Sequence, residues 1–290
     1  MTAPTAQQQP DFPVIGIVGV GLIGGSIALA IRQRGAGQHV IGIGRSAERL
    51  AEACRRGVID EGETDLAAAA RRCDLLIFCT PVDRIVAGVR EAARACGKPT
   101  VITDAGSTKG AICRELATGL PDAVTFVGSH PLAGSEQSGF EHASAGLFDK
   151  RVCVVTPTLN TPATAVTRVA KFWNELGATV LEMSPEAHDR ALAETSHLPH
   201  LVAAALAATL LPANRELAAT GFRDTTRIAS GDADLWTAIF LGNRDPVLAS
   251  LARFEGEIAA FRQALQQNDA AGLKKLLETA KISRDAIGTA

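Results

Sequence analysis

The first residues able to do chemistry are the glycines of Gly19-Val20-Gly21-Leu22-Ile23-Gly24. This G-x-G-x-x-G run follows the β-rich segment Val14–Val18 and opens an apolar helical pattern reaching about Arg34. A strand before it and a helix after it are the setting in which the spacing specifies a dinucleotide site. Gly19 permits the tight turn, Gly21 lets the backbone approach a pyrophosphate, and Gly24 lets the helix pack on the strand. The first turn, with Leu22 and Ile23, turns the positive end of the helix toward the phosphates. Ser26 could add a hydroxyl. A glycine-rich turn without a ligand is the competing reading, and the flanking elements disfavour it.

The end of the second strand selects the cofactor. An NAD site wants a carboxylate about twenty residues beyond the fingerprint, to hold the ribose hydroxyls. That position is Gly44, followed by Arg45 and Ser46, and no Asp or Glu occurs from Phe12 to Ala47. A guanidinium and a hydroxyl in place of a carboxylate suit a 2′-phosphate, so NADP is favoured. NAD stays possible, because Arg45 could stack on adenine and Glu48 is near.

Other polar residues read more plainly. His197 and His200 are three apart, but no carboxylate or cysteine motif accompanies them, so no metal is expected. The six cysteines form no C-x-x-C pair, which favours a reducing compartment over zinc or disulfides. With no tyrosine in the chain, every mechanism that needs a catalytic tyrosine is excluded. His188 and Asp189 read as a solvated helix face, and Lys109 could be a surface residue at a helix N-terminus, its role left open. Asp224 and Arg227 have the spacing of a helical i,i+3 pair, and Trp236 reads as a core filler.

The elements that must position these residues alternate. Strands are expected at Val14–Val18, His39–Ile43, Asp74–Cys79, Thr100–Thr103, Val124–Val127, Arg151–Thr156 and Ala178–Met183. Helices are expected between them, which predicts an α/β fold with a Rossmann-like doubly wound sheet. After Ser184-Pro185 only helical patterns remain. The domains are therefore drawn as a disordered tail (1–11), a dinucleotide-binding domain (12–183) and an all-helical substrate and dimerisation domain (184–290).

A chain of 290 residues that is 47% hydrophobic and 21% charged, with net charge −2, is globular and carries no basic footprint for nucleic acid. The apolar run Leu201–Leu211 is too short to span a bilayer, so a cytoplasmic protein is expected. Its even apolarity suits a helix buried on every side, which in so small a domain suggests packing on a second subunit, a homodimer.

The segment Gly128-Ser129-His130-Pro131-Leu132-Ala133-Gly134-Ser135-Glu136 resembles the signature of prephenate and arogenate dehydrogenases. Further matches fall in register: Thr80-Pro81, Asp104-Ala105-Gly106-Ser107-Thr108-Lys109-Gly110, Ser196-His197-Leu198-Pro199-His200 and Gly221-Phe222-Arg223-Asp224-Thr225-Thr226-Arg227. One departure is Gly44-Arg45, where many members carry an acidic residue.

This resemblance implies NAD(P)-dependent oxidative decarboxylation of prephenate, or alternatively of arogenate, on the route to tyrosine. It implies that His130 bonds the substrate's 4-hydroxyl and that Ser107 orients this imidazole beside the nicotinamide. Arg227 would bind the ring carboxylate. His200 and His197 would lie by the pocket, with Ser135, Glu136 and Asp224 lining or gating it. Thr80 and Pro81 would border the cofactor. Two rival readings are weaker. A β-hydroxyacid dehydrogenase wants a lysine opening the second domain, and none occurs between Lys171 and Lys274. A silent NADP-binding sensor has no need of a proton acceptor such as His130.

Overall fold

The computed structural model describes residues 10–134 and 137–288. Its strands are β1 (Val14–Val18), β2 (His39–Ile43), β3 (Glu61–Glu63), β4 (Leu75–Phe78), β5 (Thr100–Asp104), β6 (Val124–Pro131), β7 (Val152–Thr156) and β8 (Thr179–Glu182). They form one sheet ordered β3-β2-β1-β4-β5-β6-β7-β8. Helices α1 (Leu22–Arg34), α2 (Ala47–Arg55), α3 (Leu66–Ala70), α4 (Val82–Ala95), α5 (Gly110–Leu116) and α6 (Ala163–Glu175) connect the strands. The central strands are apolar and buried on both faces, as crossover helices on both sides require. One face packs on α1 and α6 around Phe148, Phe172 and Trp173, the other on α4 and α5 around Phe78, Ile85 and Ile112. This is the Rossmann-like doubly wound architecture.

Two features depart from the sequence pattern. Glu61-Gly62-Glu63 adds an edge strand that has no apolar signal, because its side chains face solvent at the sheet margin, where Arg72 pairs with Glu61. The strand that begins at Val124 also runs on to Pro131. Its first half pairs parallel with β5, up to Thr103↔Val127. Its second half pairs antiparallel with β7, from Gly128↔Thr156 to Pro131↔Cys153. The sheet thus reverses direction at the segment that carries His130.

Ser184 caps the next helix, its Oγ accepting the Ala187 N–H at 3.1 Å, with Pro185 at the first helical position. There follow α7 (Pro185–Leu192), a π-helical segment (Ala193–His197), α8 (Leu198–Ala208), α9 (Thr220–Thr226), α10 (Ala233–Gly242), α11 (Arg244–Gln266) and α12 (Ala270–Asp285). The chain divides into two compact units, one ending at Asn243 and one starting at Arg244, so that α11 and α12 make up the second.

The helix expected to be buried on every side is not so within one chain. In α8 only His200 and Ala203 are buried, because α9 and the turn Arg227–Ser230 cover only one flank of it. Among the described residues no helix is long and apolar enough to cross a membrane.

Candidate active site

The strand order places a topological switch point between β1 and β4, where a parallel sheet opens a crevice at its carboxyl edge. The glycine turn sits there. Gly19 has φ +96, which a side chain rarely adopts, and a Cβ on Gly24 would collide with the Gly19 carbonyl oxygen. Gly21 caps α1 with no side chain, and the space where its Cβ would stand is open. The N–H groups at the start of α1, through Leu22 and Ile23, are therefore left to a ligand. Across the crevice Thr80 Oγ1 is buried and has no hydrogen-bond partner, which is what a site built for a polar ligand leaves behind. Gly19, Gly21, Gly44, Arg45, Thr80 and Pro81 line a groove of about 1590 Å³. These residues fit a dinucleotide.

Two hydroxyls are already occupied. Ser46 Oγ accepts the Arg49 N–H at 3.2 Å as the cap of α2, leaving Arg45 as the groove-lining member of the pair. Ser26 is fully buried and accepts the Ser144 N–H at 3.0 Å, so it does not serve a phosphate.

His130 lies near the end of β6, almost fully buried. Its Nδ1 is 2.9 Å from Nε2 of His188, and Nδ1 of His188 is 2.8 Å from Oδ1 of Asp189. Asp189 also accepts the backbone N–H of Lys109 and of Gly110, both at 2.7 Å. The reading of His188 and Asp189 as a solvated face is thus wrong, and its physical reason is visible in α7. Pro185, His188, Asp189 and Leu192 share the buried helical stripe, so the two polar residues face the sheet. The i, i+3, i+4, i+7 spacing was the signal that could have found them.

Lys109 is likewise no surface residue. It is fully buried, and its ammonium is paired with the equally buried Asp104. Thr108 lines the dinucleotide groove while its neighbour Lys109 bonds Asp189, so the turn after β5 joins the groove to the histidine chain. Ser107 is half-buried in that turn, and the partner of His130 Nδ1 is His188.

On the helical side, His200 stacks on Trp236 with centroids 3.5 Å apart and rings 14° from parallel. His197 is buried, its Nδ1 3.0 Å from the Asn243 amide nitrogen, which also donates to the Asp189 carbonyl at 2.7 Å. Arg227 opens the turn that packs on α8, and Asp224 is exposed on α9. Ser135 and Glu136 lie outside the described residues.

Burial, with the charges of His188, Lys109 and His197, pushes the His130 pKa well below its ordinary value. Burial lowers His197 to about 4 and also lowers His200. Burial works to raise Asp189, but its bonds from His188 and the two backbone N–H groups outweigh it and hold the carboxyl below its ordinary value. The site therefore combines a neutral imidazole with a dinucleotide groove, the parts needed to oxidise an alcohol.

Comparison with known proteins identifies the chemistry. The nucleotide-binding domain of prephenate dehydrogenase matches residues 27–182, and the dimerization domain of prephenate dehydrogenase matches residues 184–279. The chain belongs to the prephenate dehydrogenase family. It is 37% identical to prephenate dehydrogenase of Bacillus subtilis over 93% of this chain and 75% of that one. It is 32% identical to cyclohexadienyl dehydrogenase of Zymomonas mobilis over 96% of this chain and 97% of that one. The structure of Aquifex aeolicus prephenate dehydrogenase in complex with hydroxyphenyl propionate and NAD⁺ superposes with a TM-score of 0.89 at 33% identity, covering 95% of this chain and 98% of that one. As a family member the protein is an NAD(P)-binding oxidoreductase, and the two domain matches span both its sheet and its helices.

Proposed function

We propose that the protein oxidatively decarboxylates prephenate to 4-hydroxyphenylpyruvate, with arogenate as the alternative substrate. The observation that carries this reading is the ordered chain Asp189–His188–His130. A carboxylate can only accept, so His188 donates through Nδ1 to Asp189. The Nε2 of His188 then has a lone pair, and it accepts the Nδ1–H of His130. This leaves Nε2 of His130 unprotonated and ready to take the proton of a 4-hydroxyl group. A regulatory cofactor sensor has no use for such a tautomer lock.

A nicotinamide dinucleotide held over the Gly19–Gly24 turn would supply the acceptor for a hydride from C4. His130 removes the 4-hydroxyl proton as the carbonyl forms and holds it at Nε2. The planar guanidinium of Arg227 offers forked donors to the ring carboxylate and so orients C4. Ser107 stands as a second hydroxyl on the turn beside the groove. His200, held flat by Trp236, supports the helical wall of the pocket, with His197 behind it and Asp224 toward its mouth, and the motif alone assigns Ser135 and Glu136 to substrate binding. Loss of carbon dioxide from C1 makes the ring aromatic, and the proton returns to the phenolic oxygen.

For the cofactor, Arg45 in the groove and the lack of a carboxylate at Gly44 favour NADP over NAD. The partly uncovered apolar flank of α8 favours a homodimer through the helical domain. The test is reduced-nicotinamide absorbance with prephenate and arogenate, each crossed with NAD and NADP. A rate with either acid that disappears in His130→Ala supports the reading. No rate in any of the four mixtures, from folded protein that binds cofactor, overturns it.

A further inference from the structure

We propose that Lys109 and Asp104 are positioning residues for His130: their buried pair closes the turn after β5 into a clasp that holds both His130 and its orienting carboxylate. This rests on the role given to His130 above.

The clasp has two arms. On one side Asp104 Oδ1 accepts the Ser129 N–H at 3.1 Å, and its carbonyl accepts the Ser129 hydroxyl. Ser129 is also held by Thr103 Oγ1 at 2.8 Å and by the Trp173 indole N–H at 3.0 Å. The backbone immediately before His130 is thus pinned where β6 has run past the end of β5. On the other side the N–H groups of Lys109 and Gly110 hold both oxygens of Asp189. Between the arms Asp104 Oδ2 receives the Gly106 N–H at 3.0 Å and the Lys109 ammonium.

The architecture makes room for this pair. A Cβ at Gly128 would stand 2.5 Å from Thr156 Oγ1, 2.7 Å from Cys113 Sγ and 3.4 Å from Lys109 Cδ. The lysine stem therefore runs against a strand position that is open only because it is glycine. A fully buried lysine is otherwise costly, and a neutral side chain would fill the same space at less cost. A charge retained there indicates a task beyond packing.

That task includes the charge state of the base. The charged and titratable groups around His130 are His188 and, behind it, Asp189 from α7, His197 from the π-helical segment, Lys109 from the turn, Asp104 from the end of β5, and the neutral Cys153 thiol from β7. Among them Lys109 opposes protonation of His130. Removing it lets His130 take a proton at a higher pH.

The test uses Lys109→Met and the double variant Asp104→Asn/Lys109→Met, which buries no charge and keeps the test open if the single variant does not fold. The pH dependence of the His130 imidazole is followed by NMR, with the pH profile of kcat/KM alongside. In Lys109→Met the His130 titration and the acid limb of kcat/KM should move up by at least about half a pH unit, and the double variant, which removes one charge of each sign, should move them less. In both variants kcat on its pH-independent plateau should fall through lost positioning, with KM for the dinucleotide unchanged. A folded double variant with wild-type kcat, or a folded Lys109→Met with an unmoved His130 titration, overturns the proposal. Because the NMR titration needs no turnover, an inactive wild-type protein would sink the functional reading and leave this test standing.

Discussion

Replacing Asp189 by Asn tests the tautomer lock with the smallest change of shape. The carboxylate accepts N–H bonds from His188, Lys109 and Gly110, while an amide has one oxygen to offer and brings an NH₂ group of its own. If the oxygen stays with Gly110, the NH₂ group faces Nδ1 of His188 and forces that nitrogen to accept. His188 then carries its proton on Nε2 and donates to Nδ1 of His130, so Nε2 of His130 becomes N–H and can no longer act as a base. A wrong tautomer at a catalytic imidazole costs about 10²–10⁴-fold in kcat. Loss of charge-assisted bonds in a buried site should also lower stability by about 2–3 kcal/mol. Steady-state rates by nicotinamide absorbance, with urea unfolding in parallel, measure both. Cofactor affinity should hardly change, since Asp189 does not line the groove. A variant in which ¹⁵N NMR finds the proton on Nε2 of His130 while kcat stays within about threefold of wild type would refute the two-histidine chain as the source of the base, since the wrong tautomer must cost more.

Three further outcomes are expected. Gly24→Ala should weaken dinucleotide binding at least about tenfold by fluorescence titration, because the new Cβ strikes the Gly19 carbonyl and shifts the helix that faces the pyrophosphate; unchanged affinity would show that this close approach is not needed. Arg227→Ala should raise KM for the acid substrate about 10–100-fold with a smaller change in kcat, and a loss confined to kcat would contradict the carboxylate role. Stability should fall as pH drops from about 6.5 to about 4, because the unfolded chain binds a proton there that native His197 refuses; for this group the loss reaches up to about 3 kcal/mol, and His130 acts in the same direction. Urea midpoints that stay flat between pH 7 and pH 4.5 would remove that account. Asp189 adds to acid sensitivity only at lower pH, since its carboxyl is held below its ordinary value of 3.8.

The parts legible in the sequence are those with a local signature. The glycine turn, the apolar strands and the helical C-terminal texture each announce themselves within a few residues. Glu61–Glu63 does not, since an edge strand with acidic side chains lacks any apolar alternation. His130 was visible in its motif, but its partners were not. His188 and Asp189 are polar residues on a stripe that otherwise marks a core face, and polarity alone was read as exposure. Lys109 failed in the same way: a lysine defaults to solvent unless its counter-charge is known, and Asp104 becomes that counter-charge only when the turn folds back. The reversal at β6 was hidden because strand direction is set by pairing partners, not by the residues of the strand itself.

The bond from Gly110 to Asp189 spans 79 residues of chain. Its consequence is temporal. A nascent polypeptide can complete β1, α1 and β4, and with them the dinucleotide cradle, long before α7 exists. Contacts so distant in sequence form late, after the loop-closure entropy between them has been overcome. Cofactor affinity should therefore emerge early in refolding, and the histidine in its working tautomer only at the end. A half-folded chain would hold its oxidant while being unable to use it.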